Sequence, residues 1–309
     1  MKLPNSLLNL WTIVCTAGEA WIDDKAPRIG AALAFYTVLS LSPLLVIVLA
    51  IAGLVFGEEA ARGELANQIR GLIGDQGAKV LEEVLANSNK PKSGTLAIIV
   101  GVATLIFGAS GVFGELQEAM NDIWKVRPRK GRAIIAFIKT RFLSFGMVLG
   151  IGFLLLVSLT LTTLMAILGR YLSGQVPEAA GMLLVLNYLV TFFMEATLFG
   201  MIFKVLPDAK LAWRDVAFGA GFTAVLFNIG KYLIGLYITY TGTGSSFGAA
   251  GSIIALVVWV YYSAQILLFG AELTKVVADR AGRRIAPSKG AEAIPGADTP
   301  VVDRALKTV

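Results

Sequence analysis

The chain has no histidine and a single cysteine, Cys15. Without histidine there is no imidazole to serve as general base, proton relay or zinc ligand, and one thiol cannot complete a Cys/His zinc set. One thiol also excludes an internal disulfide. No GxxxxGK[ST] phosphate loop occurs, so the motif that would mark ATP hydrolysis is missing. The carboxylates fall mainly in loops and form no DxD-type metal constellation. A hydrolase or nuclease would have to work without histidine and without an evident metal site. An enzyme is therefore not expected, and the sequence assigns no catalytic residue, metal or cofactor.

Charge is scarce as well. Only 16% of the 309 residues are charged and 56% are apolar, with a mean hydropathy of +0.73. Soluble domains carry about 25% charged residues. The apolar excess is clustered into stretches near the roughly 20 residues that cross a bilayer. A soluble chain of this length has no core large enough to bury several such stretches. The sequence thus predicts an all-α polytopic membrane protein with six transmembrane helices, at about 30–56, 95–113, 142–168, 181–203, 215–238 and 248–271. Residues 5–22 read as an N-terminal amphipathic helix, with Leu7, Trp11, Val14 and Trp21 on one face and its two Trp suited to the headgroup zone. Met1 to Trp21 lacks a continuous apolar run and a small-residue cleavage site, so the first span is expected to act as the insertion signal.

Lysine and arginine set the orientation. Of 27 basic residues, 20 fall on one side: the N-terminal segment, the second and fourth loops and the tail. The positive-inside rule places that side, and both termini, in the cytoplasm. The net charge of +6 is then explained by anionic lipid and by insertion, with no call for nucleic acid. Three regions follow: a cytoplasmic N-terminal helix (1–29), a six-helix transmembrane domain (30–280) and a flexible cytoplasmic tail (281–309) rich in Pro and Gly. Loop 57–94 carries two apolar stripes interrupted by Gly74 and Gly77, and reads as an external helical hairpin that caps the bundle or forms a partner surface.

Polar residues within spans carry the functional signal, because their burial in lipid is costly. In the first span Tyr36, Ser40 and Pro43 continue a polar face that starts at Arg28, and Pro43 should loosen the helix. Asn187, Thr191 and Glu195 recur every four residues in the fourth span. Asn228 and Lys231 share a face of the fifth, as do Tyr262, Gln265 and Glu272 in the sixth. Counting about 1.5 Å per residue puts Glu195 about 12 Å, and Tyr36 and Gln265 about 10 Å, from the inner boundary. Lys231 falls about 9 Å below the outer one by the same count. A direct Glu195–Lys231 pair would therefore need a bend or an intervening water. Small-residue seams such as Gly146-xxx-Gly150 read as helix contacts.

After the second span, residues Glu115 to Trp124 form a helix with Glu115, Glu118 and Asp122 on one face, followed by the basic cluster Lys125 to Arg132. Arg28, Arg127, Arg129, Lys130, Arg132, Arg141 and Arg214 are candidate contacts for inner-leaflet headgroups. Four stretches together resemble the YihY/virulence factor BrkB family, long mislabelled ribonuclease BN: Arg28-Ile-Gly-Ala-Ala-Leu-Ala-Phe-Tyr36 into Ser40-Leu-Ser-Pro43, Glu115-Leu-Gln-Glu-Ala-Met-Asn-Asp-Ile-Trp124, Leu206-Pro207 with Trp213-Arg214, and Trp259-Val-Tyr261 through Gln265 to Phe269-Gly-Ala-Glu272. The resemblance covers residues 20–280. Phe247-Gly248 stands where family members often show Tyr-Gly. The resemblance implies an integral inner-membrane protein without a settled activity, with some relatives linked to envelope lipid or lipopolysaccharide export and others to serum resistance.

Two functional expectations compete. One is a transporter or flippase-like exporter of an anionic amphiphile, moved through a cytoplasm-facing polar cavity, with Glu195 as candidate proton carrier. The other is a non-catalytic scaffold that supports envelope integrity. Membrane lipids are the expected partners in both, and a homo-oligomer is compatible with either.

Overall fold

A computed structural model of the chain describes residues 5–39, 57, 59, 63, 111–129, 146, 150, 154, 157, 160, 161, 164, 178–241, 249–283 and 285–294. Helix α1 spans Asn5–Asp23 and turns through Asp24 and Lys25 into α2, Ala26–Leu39. Helix α3 is described over 111–123 and leads into strand β1, Val126–Pro128. Helix α4, Glu178–Val205, is followed by β2, Ala209–Lys210, and by α5, Trp213–Thr241. Helix α6 runs over Ala249–Arg280, and two short strands follow it, β3 (Ala286–Pro287) and β4 (Ala291–Ala293).

Segments Val185–Val205, Trp213–Ile234 and Leu256–Arg280 are each long and apolar enough to cross a membrane. On α4, Met182, Tyr188 and Phe193 are 69%, 70% and 62% exposed. So large an unpartnered apolar surface fits hydrocarbon and not water. The first three expected spans lie largely outside the described residues, as do the 57–94 loop (except Gly57, Glu59 and Gly63), Ser40 and Pro43.

Local chemistry sets the helix ends. Pro207 disfavours helical backbone in the residue before it, and α4 stops at Val205. Asp215 occupies the first turn of α5, where the helix dipole favours a carboxylate. Gly282 (φ 68°) closes α6 in a Schellman turn, with Arg283 N–H donating to Ala278 C=O at 3.1 Å. Helices α5 and α6 run antiparallel and interlock through two glycine–threonine contacts. A Cβ on Gly219 would meet Thr274 Oγ1 at 1.6 Å, and one on Gly270 would meet Thr223 Oγ1 at 1.9 Å. Each threonine hydroxyl donates to the carbonyl four residues earlier, Thr223 to Gly219 at 2.7 Å and Thr274 to Gly270 at 2.6 Å. The buried hydroxyls are thereby satisfied within their own helices and add no polar cost to the interface.

The main core gathers at the basic end of the helices. It joins Ile29 and Leu33 of α2, Met120 and Ile123 of α3, Phe203 of α4, Val216 of α5 and Leu268 of α6. Helix α1 packs on α6 through Ala17, against Leu273 and Val276. Trp11 (68% exposed), Cys15 and Ile22 (66%) form its outward stripe. The expectation that Trp11 and Trp21 share a face is corrected here. Ten residues place them about 80° apart around a helix, and Trp21 packs against the core instead.

A second correction concerns the region after residue 280. Residues 281–294 do not lead away as a flexible tail. Strand β4 pairs antiparallel with β1 (Arg127 opposite Glu292), and β3 pairs with β2 (Lys210 opposite Ala286). Backbone bonds from Arg129 to Gly290, Ser288 to Asp208 and Ile294 to Lys125 complete the strap. The apolar and charged side chains here found partners on two loops that the linear sequence keeps apart. Residues 295–309 lie outside the described residues. Because the strap joins the loops after α3 and α4 to the end of α6, those three helix ends share one end of the molecule.

Candidate functional site

Glu195 of α4 is held by α5. Lys231 Nζ donates to Glu195 Oε1 at 2.6 Å, and Asn228 Nδ2 donates to Oε2. The ion pair is mostly buried, with side-chain exposures of 21% and 16% for Lys231 and Glu195, and Lys231 also lies 5.4 Å over the Phe227 ring. The direct pair differs from the expectation drawn from Cα depth. Side chains tilt toward the N-terminus of their helix, and α4 and α5 run in opposite directions. Glu195 therefore leans away from the basic end while Lys231 reaches back toward it. The lysine stem covers the remaining offset.

The other intramembrane candidates fall at several helix contacts. Tyr36 packs at Gly111, where a Cβ would meet its ring at 2.7 Å, so it fills the α2–α3 contact. Gln265 sits against Gly30, and its amide donates to Ala26 C=O at 3.5 Å, between α6 and α2. Tyr262 covers Gly230 of α5, next to Lys231. Asn187 is half-buried, and its carbonyl accepts from Thr191 at 2.9 Å. Asn228, Lys231, Glu195 and Tyr262 are thus grouped around α5, whereas Tyr36 and Gln265 belong to the α2 contacts.

The basic candidates divide in the same way. Arg127 pairs with Glu292 of the strap at 2.9 Å. Arg28, Arg129 and Arg214 are exposed. Lys130, Arg132 and Arg141 lie outside the described residues. Glu115 neighbours Arg28, but burial and then the charge of Glu118 push its pKa above the ordinary carboxylate value.

Sequence reasoning missed a buried polar brace at the basic end. Gln117 and Asn121, one helical turn apart on α3, both donate to Asp208 Oδ2 at 3.3 Å, and Asn121 Oδ1 accepts from Asp208 N–H at 2.7 Å. Ser288 of the strap adds a bond to Asp208 C=O at 2.8 Å. Polar residues four apart on the apolar face of α3, opposite its acidic face, were the available signal. A second missed cluster joins Asp24, Lys125, Glu272 and Lys275, with Lys125 Nζ 2.6 Å and 2.7 Å from the two Asp24 oxygens. Among the described residues, no group of three or more His, Cys, Asp or Glu could hold a metal ion.

Long apolar helices, lipid-compatible surfaces and an embedded ion pair define a helical integral membrane protein. Residues 17–295 match the family described as virulence factor BrkB, and the chain belongs to that family. It is similar to a UPF0761 membrane protein of Pseudomonas paraeruginosa, 29% identical over 257 residues that cover 82% of this chain and 59% of the relative. A UPF0761 membrane protein of Rhodospirillum centenum is 31% identical over 291 residues, covering 91% of this chain and 61% of that one. The chain thus spans about three-fifths of the length of these relatives. No solved structure matches.

Proposed function

We propose that the chain moves an anionic amphiphile, an envelope lipid or a related compound, across the bacterial inner membrane, with both termini and the strap on the cytoplasmic side. The observation that carries this reading is the Glu195–Lys231–Asn228 cluster between two apolar helices. A charged pair costs more in hydrocarbon than a packed apolar contact, so its presence there suits a pathway for a charged headgroup. Exposed Arg28, Arg129 and Arg214 at the same side would gather the anion before entry. Because Glu195 is already paired, the pair would open as the headgroup passes, with Lys231 exchanging its carboxylate for the substrate anion.

The test is reconstitution of the full chain in vesicles holding a fluorescent anionic lipid, with transbilayer movement read by an external quencher. Movement faster than in protein-free vesicles, and slower with Lys231→Met, supports the reading. Rates equal to protein-free vesicles would sink it.

The packing of Tyr36 and Gln265 into separate glycine contacts favours a second reading, a scaffold without a transport path. Deletion of residues 283–309 that abolishes partner capture while lipid movement stays at background would favour it.

A further inference from the structure

Glu272 is fully buried, and neither of its carboxyl oxygens receives a hydrogen bond. The charged groups facing it come from three elements: Lys275 on α6 itself, Asp24 in the turn between α1 and α2, and Lys125 in the turn after α3. Asp122 stands beside Asp24 and Lys125, and Asp279 beside Lys275. Lys125 is already committed to both oxygens of Asp24. Its ammonium therefore neutralises Asp24 and leaves Glu272 without a donor.

The backbone around the cluster reinforces this. Helices α1 and α3 both end here, and each is closed by a lysine in the left-handed region, Lys25 (φ 57°) and Lys125 (φ 53°). These are the two non-glycine residues with positive φ among the described residues, and such backbone persists where surrounding contacts enforce it. The carboxyl ends of two helices contribute partial negative charge. An ionised Glu272 would thus sit in a dry site without a hydrogen bond, with Asp24 and the two helix ends opposing the attraction of Lys275.

We propose that Glu272 is a proton-binding site whose carboxylic acid donates to Asp24 in this closed arrangement. When the turn between α1 and α2 withdraws from α6, water enters and the O–H bond breaks, the proton passing to water and the carboxylate being hydrated. The binding step stands by itself. Its use as the coupling proton in place of Glu195 rests on the transport reading above.

The experiment uses full-length protein in nanodiscs of phosphatidylethanolamine and phosphatidylglycerol, compared with Glu272→Gln by infrared difference spectroscopy. The expected result is a protonated-carboxyl C=O band at pH 7 that Glu272→Gln lacks and that wild type loses reversibly as pH rises. Glutamine mimics the protonated acid but needs no proton taken up on folding, so Glu272→Gln should exceed wild-type thermal stability at pH 7, while Glu272→Ala falls below Glu272→Gln. That gap should close as pH falls toward the ordinary carboxylate value, because the unfolded chain then carries the proton too. A variant that loses only carboxylate bands, or a Glu272→Gln as unstable as Glu272→Ala, would make Glu272 an ionised partner of Lys275 and overturn the proposal. If Glu272→Gln does not fold, Asp24→Asn serves, since it should displace the same band, and an unchanged band overturns the proposal. None of these readouts requires transport, so vesicles that move no amphiphile would count against the function and leave the proton site standing.

Discussion

Gly219→Ala is the sharpest probe of how the transmembrane helices are held. The new methyl would be built 1.6 Å from Thr274 Oγ1 and 2.8 Å from Thr274 Cβ, distances no relaxed structure tolerates. Thr274 cannot simply turn away, because it is fully buried and its hydroxyl bonds Gly270 C=O at 2.6 Å. Overpacking of a tight contact costs about 1–3 kcal/mol, and losing the hydroxyl bond adds about 0.5–1.5 kcal/mol. Against this stands the helix-propensity gain of alanine over glycine, about 1 kcal/mol. The net expectation is a loss of about 1–3 kcal/mol, since the steric term exceeds the propensity term. Thr274→Ala alone should cost about 1 kcal/mol. The double variant should recover most of the Gly219→Ala loss, because the clash has lost its partner. Thermal unfolding in detergent, followed by size-exclusion fluorescence, reads all four proteins. A Gly219→Ala as stable as wild type, or a double variant no better than Gly219→Ala, would refute the interlock.

Removing the buried brace with Asn121→Ala should destabilise by about 1–3 kcal/mol, since Asp208 loses a donor and an acceptor together; an unchanged unfolding temperature would show the brace to be idle. Glu115→Gln should stabilise at neutral pH, because the folded state raises the carboxyl's pKa and so disfavours its charge. That advantage should fade as pH falls to the ordinary carboxylate value, and a pH titration of unfolding that shows the opposite slope would contradict the assignment. The outward stripe Trp11–Cys15–Ile22 should meet the bilayer surface. An environment-sensitive fluorophore on Cys15, the chain's sole thiol, should be quenched by lipid-phase quenchers in nanodiscs, whereas quenching only from water would place the stripe elsewhere.

Much of the membrane architecture was legible from composition. The apolar runs at about 181–203, 215–238 and 248–271 read as helices in a bilayer, because hydrocarbon leaves backbone N–H and C=O groups no partner outside their own segment, and the structure has candidate spans at Val185–Val205, Trp213–Ile234 and Leu256–Arg280. The membership of the family was likewise carried by local stretches such as Arg28 to Tyr36 and Glu115 to Trp124. The acidic face of α3 was visible from spacing alone. Spacing could not show that Gln117 and Asn121 would find Asp208 some ninety residues away.

The site was less legible, for a physical reason. Depth counted along single helices kept Glu195 and Lys231 apart, because Cα positions carry no information on side-chain tilt. Only the antiparallel packing of α4 and α5 turned the two tilts toward each other. Residues 281–294, with proline and glycine, read as tail because strand pairing needs a partner, and both partners lie in distant loops. The sequence by itself determined that the chain enters a membrane as helices, since solvation of backbone and side chain is a property of each segment. Tertiary structure decided which polar groups pair, which remain buried without a donor, and where the ends meet, since those depend on contacts between segments that no local count contains.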